Sequence, residues 1–276
     1  MLIDRIQTAE IANRPRCDLK AIKRWLLQSE VILAENVATY FIETKGTCTL
    51  DDFPNIAPPF PFLFLEWPTR RPDDDNHRSV AKTIGCLIAS KEKATGSSAP
   101  WKWECASIIF LEFTSGEIML PVIFFWWVGE DGIAYFPEGK VGIKAFPPFE
   151  KVAPDLLYEL PIPWLTLSFM HCKNVELSPV LPSPKLSKAR LRRGKRPLVT
   201  YKILKIHPMA KILDTEGKAQ EVGLKKALHI CRGHFKDYRE GSGLFGRFHD
   251  IWWWDAHTAG SIGEGIALKD YLVKPE

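Results

Sequence analysis

The sequence predicts an α+β fold: an N-terminal helix with an antiparallel or mixed sheet, followed by a C-terminal β-hairpin module. Helical apolar spacing is clearest near the N-terminus. Several apolar runs of strand length then follow one another without the strand–helix alternation of βαβ winding. The C-terminal part reads as strands joined by glycine turns.

Asp18 to about Glu43 reads as the main N-terminal helix. Asp18 suits its cap. Leu19, Ile22, Leu26, Leu33, Val37 and Phe41 recur near helical spacing, Lys20, Lys23 and Arg24 supply a polar side, and Gly46 is the expected stop. Residues 56–68 are rich in Pro and aromatics. Proline fixes φ and forbids a helix, so this segment should be extended and enter a strand at Phe62–Trp67. Thr69–Arg78, with Arg70, Arg71 and Asp73-Asp74-Asp75, reads as a solvated loop.

Thr83–Ala89 and Glu104–Phe113 read as strands. Met119–Val128 and Gly132–Phe136 read as a hairpin through Glu130-Asp131-Gly132. Prolines 154, 161 and 163 interrupt the next apolar stretch, which leaves Leu165–His171 as a buried helix. His171 and Cys172 at its end read as a packed pair, not as metal ligands.

Leu177–Pro197 reads as a linker punctuated by Pro179, Pro182 and Pro184. Lys185, Lys188, Arg190, Arg192, Arg193, Lys195 and Arg196 form a basic run there with no acidic residue among them. Two readings stand open: a solvated spacer, or an electrostatic foothold on RNA or the ribosome. Val199–His207 reads as a strand and Asp214–Lys225 as a polar loop. The expected division is a core domain over 1–176, a basic Pro-rich linker over 177–198 and a C-terminal β module over 199–276.

Composition narrows the class. The 276 residues are 46% hydrophobic and 25% charged, which excludes a disordered or fibrous chain. Ten Trp and sixteen Phe are enough for a sizeable core. A net charge of +4 permits contact with nucleic acid without arguing for it. The six cysteines are scattered and form no Cys-x-x-Cys. No apolar run has the length of a membrane helix. The expectation is a cytoplasmic protein with buried, reduced thiols, without cofactor or metal and without a membrane partner.

The stretch from Ala227 to Tyr238 carries the candidate site. As one strand of period two, it places Leu228, Ile230, Arg232, His234, Lys236 and Tyr238 on one face. His229, Cys231, Gly233, Phe235 and Asp237 fall on the other. Gly233 removes a side chain where another backbone or a ligand can approach, or else marks a bulge. Glu240-Gly241-Ser242-Gly243 should turn the chain into a return strand, Phe248–Trp254. A Gly-rich loop, Ala259–Gly265, should lead to a final strand at Ile266–Val273.

Arg and Lys in such a row can hold phosphate or carboxylate. A His among cations has its protonated form disfavoured and can act as a base. His229, His234 and His249, with Arg232, are therefore candidates for metal-independent RNA cleavage, although His229 and His234 would point to opposite faces. In a bland alternative, Arg232 pairs with Asp250 or Asp255 and only knits the hairpin.

The string Leu228-His229-Ile230-Cys231-Arg232-Gly233-His234-Phe235, then a Gly-rich turn with Gly243 and a strand ending in Trp254, resembles a known C-terminal signature. It is similar to that of a family of phage, plasmid and bacterial proteins that includes the type V-A anti-CRISPR protein acting on the CRISPR effector's message during translation. The family commonly has Arg where Cys231 stands and Trp where Phe235 stands. The resemblance implies a regulator that recognises a nascent polypeptide and brings about loss of its messenger. Its effector surface would comprise Arg232, Gly233, His234, Phe235 and Trp254, with Lys236 and Tyr238 added by the geometry of the row. The implied partners are a protein or nascent peptide, with the ribosome and mRNA.

Overall fold

A computed structural model describes residues 1–12, 17–43, 53–69, 81–135, 142–145, 161–194, 199–207, 227–231, 233–254, 257–259 and 261–266. The fold is α+β and divides into two compact units. The first comprises residues 1–171 and 177–204, the second 172–176 and 205–276.

The first unit is built on a mixed sheet. Its centre is a meander of long antiparallel strands, β3 (Phe62–Pro68), β4 (Ala81–Glu92), β5 (Trp103–Phe113) and β6 (Ile118–Val128). Beyond β3 the pairing becomes parallel, through β2 (Glu30–Leu33) to β10 (Tyr201–Ile206), with β9 (Val175–Val180) next to β10. The far edge of β6 is covered along its length by three short strands. β1 (Ile11–Ala12) pairs at Ile118 and Met119, β8 (Gly142–Ala145) from Val122 to Phe125, and β7 (Ala134–Tyr135) at Trp127 and Val128. Covering that edge removes a template for association with other strands.

Both faces of the meander are buried, which is why its strands read as apolar runs. On one face α1 (Leu2–Thr8) and α2 (Leu19–Gln28) place Leu2, Ile3, Ile6, Ile22 and Leu26 against Phe64, Leu87, Ile108 and Phe110. Gly85 of β4 is needed at this contact, since a Cβ there would sit 2.6 Å from the Phe64 ring. Opposite, α3 (Glu35–Glu43) and α4 (Pro161–Met170) pack with Tyr40 edge-on to Phe169 and Trp164 against Trp126. Trp126 donates its indole N–H to the buried Ser107 hydroxyl at 3.0 Å. Burial pushes the neighbouring Cys86 thiol up to about 12, against a weaker downward pull from Ser107. The thiols of Cys105 and Cys172 are raised by burial as well. Cys48 and Cys231 lie outside the residues whose side chains are described.

Three local expectations change. The single helix over Asp18–Glu43 is interrupted. Asp18 does cap a helix, accepting from the Lys20 and Ala21 amides at 2.9 and 3.1 Å, but that helix stops at Gln28. Glu30-Val31-Ile32-Leu33 then crosses the sheet as β2, because two β-branched residues buried between parallel neighbours favour a strand. Pro161 and Pro163 do not break α4; they lie in its first turn, where a missing amide costs little. The segment read as a linker contains the end of β9 and a helix, α5 (Pro184–Arg192), with Pro184 at its first position and Ser183 before it. The expected loop around Asp214–Lys225 lies outside the described residues. No described helix is long and apolar enough to cross a membrane.

Candidate functional site

The C-terminal signature occupies two strands, not one. β11 (Ala227–Cys231) pairs with β14 (His257–Ala259) and with β15 (Ser261–Ile266). β12 (His234–Asp237) pairs instead with β13 (Ile251–Trp254), in a separate two-stranded ladder. The change of partner falls between the end of β11 at Cys231 and the start of β12 at His234, and the glycine at 233 permits a break. Period-two phase therefore does not carry from His229 to His234. The expected Gly-rich loop after Ala259 is strand β15, made possible by its pairing with β11. Arg232 lies outside the described residues, and so does the side chain of His229, whose backbone pairs opposite Ala259. Most of the predicted final strand, beyond Ile266, is also outside them.

The hairpin itself is fully specified. His234 faces Trp254, Phe235 faces Trp253, Lys236 faces Trp252 and Asp237 faces Ile251. The Tyr238 amide donates to the Asp250 carbonyl at 3.1 Å and extends the ladder one residue further. By alternation His234, Lys236 and Tyr238 share a face with Trp252 and Trp254, as the sequence row predicts. The Lys236 ammonium lies 4.1 Å from the centre of the Trp254 ring, a cation–π contact. Burial raises the Tyr238 phenol above its ordinary value, and a side-chain hydrogen bond with Trp254 pulls the other way. Leu244, Trp252 and Trp254 form a small core of their own, with Tyr238, Phe245 and Phe248 packed around it. The row thus borders an aromatic cluster, with the Lys236 ammonium on its Trp254 ring.

On the opposite face the Phe235 and Trp253 rings meet edge-on at 4.8 Å. Asp237 is held by Arg239, whose Nε lies 3.0 Å from each carboxylate oxygen and whose Nη2 reaches Oδ2 at 2.6 Å. That contact keeps the Asp237 carboxyl below its ordinary value. Between the strands, Leu244 and Phe248 exchange backbone hydrogen bonds at 2.9 and 3.1 Å. The turn before them needs Gly243, at φ +74°, because a Cβ there would lie 3.0 Å from the Phe248 carbonyl oxygen.

The remaining edge of β13 is held by a residue that the sequence did not single out. Asn174 is buried, and its Nδ2 donates to the carbonyls of Trp253, at 2.8 Å, and His207, at 3.0 Å. Its Oδ1 accepts from the Trp253 amide at 2.9 Å. The side-chain amide therefore behaves as one peptide unit of a missing strand. Lys173 continues this edge, donating its amide to the Ile251 carbonyl at 2.8 Å, and its ammonium lies 3.9 Å from Asp250. A lone Asn in a turn carries no motif, so nothing in the sequence marks it.

Among the described residues no cluster of His, Cys, Asp and Glu could hold a metal ion. His171 bonds to the Ala57 carbonyl at 2.7 Å and Cys172 is buried, which fits a packed pair. In the first unit a cleft of about 530 Å³ opens beside the start of α3, lined by Leu33, Glu35, Asn36, Tyr40 and Ile203. Of the basic run, Lys185, Lys188, Arg190 and Arg192 lie on α5 and Arg193 caps its end. Lys195 and Arg196 are outside the described residues. No family model, no curated protein and no solved structure matches this chain.

Proposed function

We propose that this chain is a regulatory recognition protein of the kind mobile elements carry. Its C-terminal hairpin contacts a nascent polypeptide or the translation complex around it, and binding lowers expression of the target. The observation that carries this reading is the face formed by His234, Lys236 and Tyr238 over Trp252 and Trp254, with the Lys236 ammonium on the Trp254 ring. A cation backed by aromatic rings on a short, clamped hairpin loses little side-chain freedom when a partner arrives, and such surfaces favour binding energy. The resemblance of residues 228–235 and Trp254 to the translation-acting family supplies the class of partner. Arg232 enters on that resemblance alone.

Polysome sedimentation tests the reading. Protein expressed in bacterial cells should co-sediment with polysomes and enrich particular messages, and puromycin, which releases nascent chains, should free it. Arg232→Ala and His234→Ala should lose the association while keeping the wild-type circular dichroism spectrum. Absence of wild-type protein from polysomes, or full association of both variants, overturns the proposal. So does RNA cleavage in EDTA that His234→Ala abolishes, which would make the row catalytic.

A further inference from the structure

The basic run is a surface helix with a one-sided charge distribution. Along α5, at about 100° per residue, Lys185, Lys188 and Arg192 fall within an arc of about 60°. All three side chains are exposed, whereas Ser187 and Arg190, on roughly the opposite side, are half-buried. The stripe runs about 10 Å along the helix axis.

These three cations make no ion pair among the described residues. Arg5 pairs with Glu112, Lys102 with Glu130, Lys173 with Asp250, Lys202 with Glu30 and Arg239 with Asp237. Lys185, Lys188 and Arg192 have no carboxylate partner among the described residues, and no acidic residue occurs from 181 through 198. Lys185 stands in the first turn, where the helix dipole disfavours a cation. Folding alone does not account for such a stripe.

The neighbouring side chains select the partner. Leu186 and Leu191 are exposed, at 52% and 57%, but lie about 140° apart around the helix. They do not form the single apolar face that a membrane-surface helix inserts. The helix has no aromatic ring to stack on bases and no amide or carboxylate to pair with adenine or cytosine edges. Arginine and lysine can pair with guanine in B-form DNA, but the deep, narrow major groove of A-form RNA keeps them from base edges, so on duplex RNA the contact is with phosphates. We propose that α5 docks on the sugar–phosphate backbone of duplex RNA without reading its sequence, through Lys185, Lys188 and Arg192. The choice of RNA over DNA rests on the translation reading above.

Fluorescence anisotropy of the purified full chain with a labelled RNA duplex of arbitrary sequence tests it. Three phosphate contacts give a log–log salt slope of about −2.7, a loss on the order of 40-fold between 50 and 200 mM salt. Replacing Lys185, Lys188 and Arg192 together by Gln should remove most of that slope and weaken binding more than about tenfold at the lower salt. Replacing Lys20, Arg24 and Lys91 by Gln removes the same charge elsewhere and should leave binding within about threefold, with the slope kept.

Failure of the wild type to bind the duplex overturns the inference, as does equal loss in the two triple variants. Tighter binding to a DNA duplex of the same sequence overturns the choice of RNA. Binding to phosphatidylserine vesicles that the first triple variant alone loses, with RNA binding intact, reassigns the helix to a membrane surface. The assay contains no ribosomes, so its failure leaves the hairpin reading standing. Loss of polysome association in the hairpin variants, with duplex binding intact, refutes only that reading.

Discussion

Asn174 offers the sharpest test of how the hairpin is held. Its side chain makes three hydrogen bonds to backbone groups, two of them to Trp253, and only 3% of its surface is exposed. Asn174→Ala deletes all three and strands the Trp253 amide and carbonyl in a site that water reaches poorly. At about 1 kcal/mol for each net hydrogen bond, the loss is about 3 kcal/mol, and unsatisfied backbone groups push it upward. Chemical denaturation followed by near-ultraviolet circular dichroism should show a lower midpoint at an unchanged slope. Asn174→Asp sharpens the test. An ionised carboxylate still accepts from the Trp253 amide but faces the Trp253 and His207 carbonyls with charge. Its destabilisation should therefore match or exceed that of Ala at neutral pH and shrink in acid, where the protonated acid can donate again. A loss below about 1 kcal/mol for Ala, or an Asp variant indifferent to pH, would refute the clamp.

Two further perturbations have signs fixed by the geometry. Gly243→Ala puts a side chain at φ +74° and 3.0 Å from the Phe248 carbonyl oxygen, while Gly241→Ala at φ +79° meets open space. Both should cost about 1–2 kcal/mol for the left-handed backbone, with an added cost only at Gly243 that thermal melts can resolve. Glu66 accepts the Leu2 amide at 2.9 Å, and burial raises its carboxyl above its ordinary value of 4.5, outweighing the backbone hydrogen bonds from Leu2 and Ile3 that lower it. The folded state thus favours protonated Glu66. Its contribution is present below pH 4.5 and is lost as pH rises through the folded value. Glu66→Gln should flatten the rise of melting temperature toward acid over that window; an unchanged profile refutes the assignment.

The sheet was legible because its strands are apolar on both faces and end at Pro, Gly or charge. Phe62–Trp67, Glu104–Phe113 and Met119–Val128 all became strands within a residue or so of their expected ends. The helices failed where periodicity is ambiguous. Leu26, Leu33 and Val37 keep helical spacing straight across β2, so the pattern cannot show that the chain changes partner at Ser29. α5 buries no residue and so has no apolar face for periodicity to detect; only its capping Ser183 and Pro184 hint at a helix. At the site, the shared face of His234, Lys236 and Tyr238 followed from alternation alone. The break at Gly233 did not, because one glycine in a strand-like run serves equally as a bulge, a close approach or a boundary.

That break bears on what the Arg-Gly-His signature is for. If the segment were one strand, His229 and His234 would be fixed relative to each other by the pleat, and an acid–base pair would be a question of faces. Instead β11 pairs with β14 and β15, and β12 with β13. The pleat of a single strand therefore does not relate His229 to His234. On β12 the polar side chains already have structural engagements, Lys236 on Trp254 and Asp237 with Arg239. These contacts fix the shape of the hairpin.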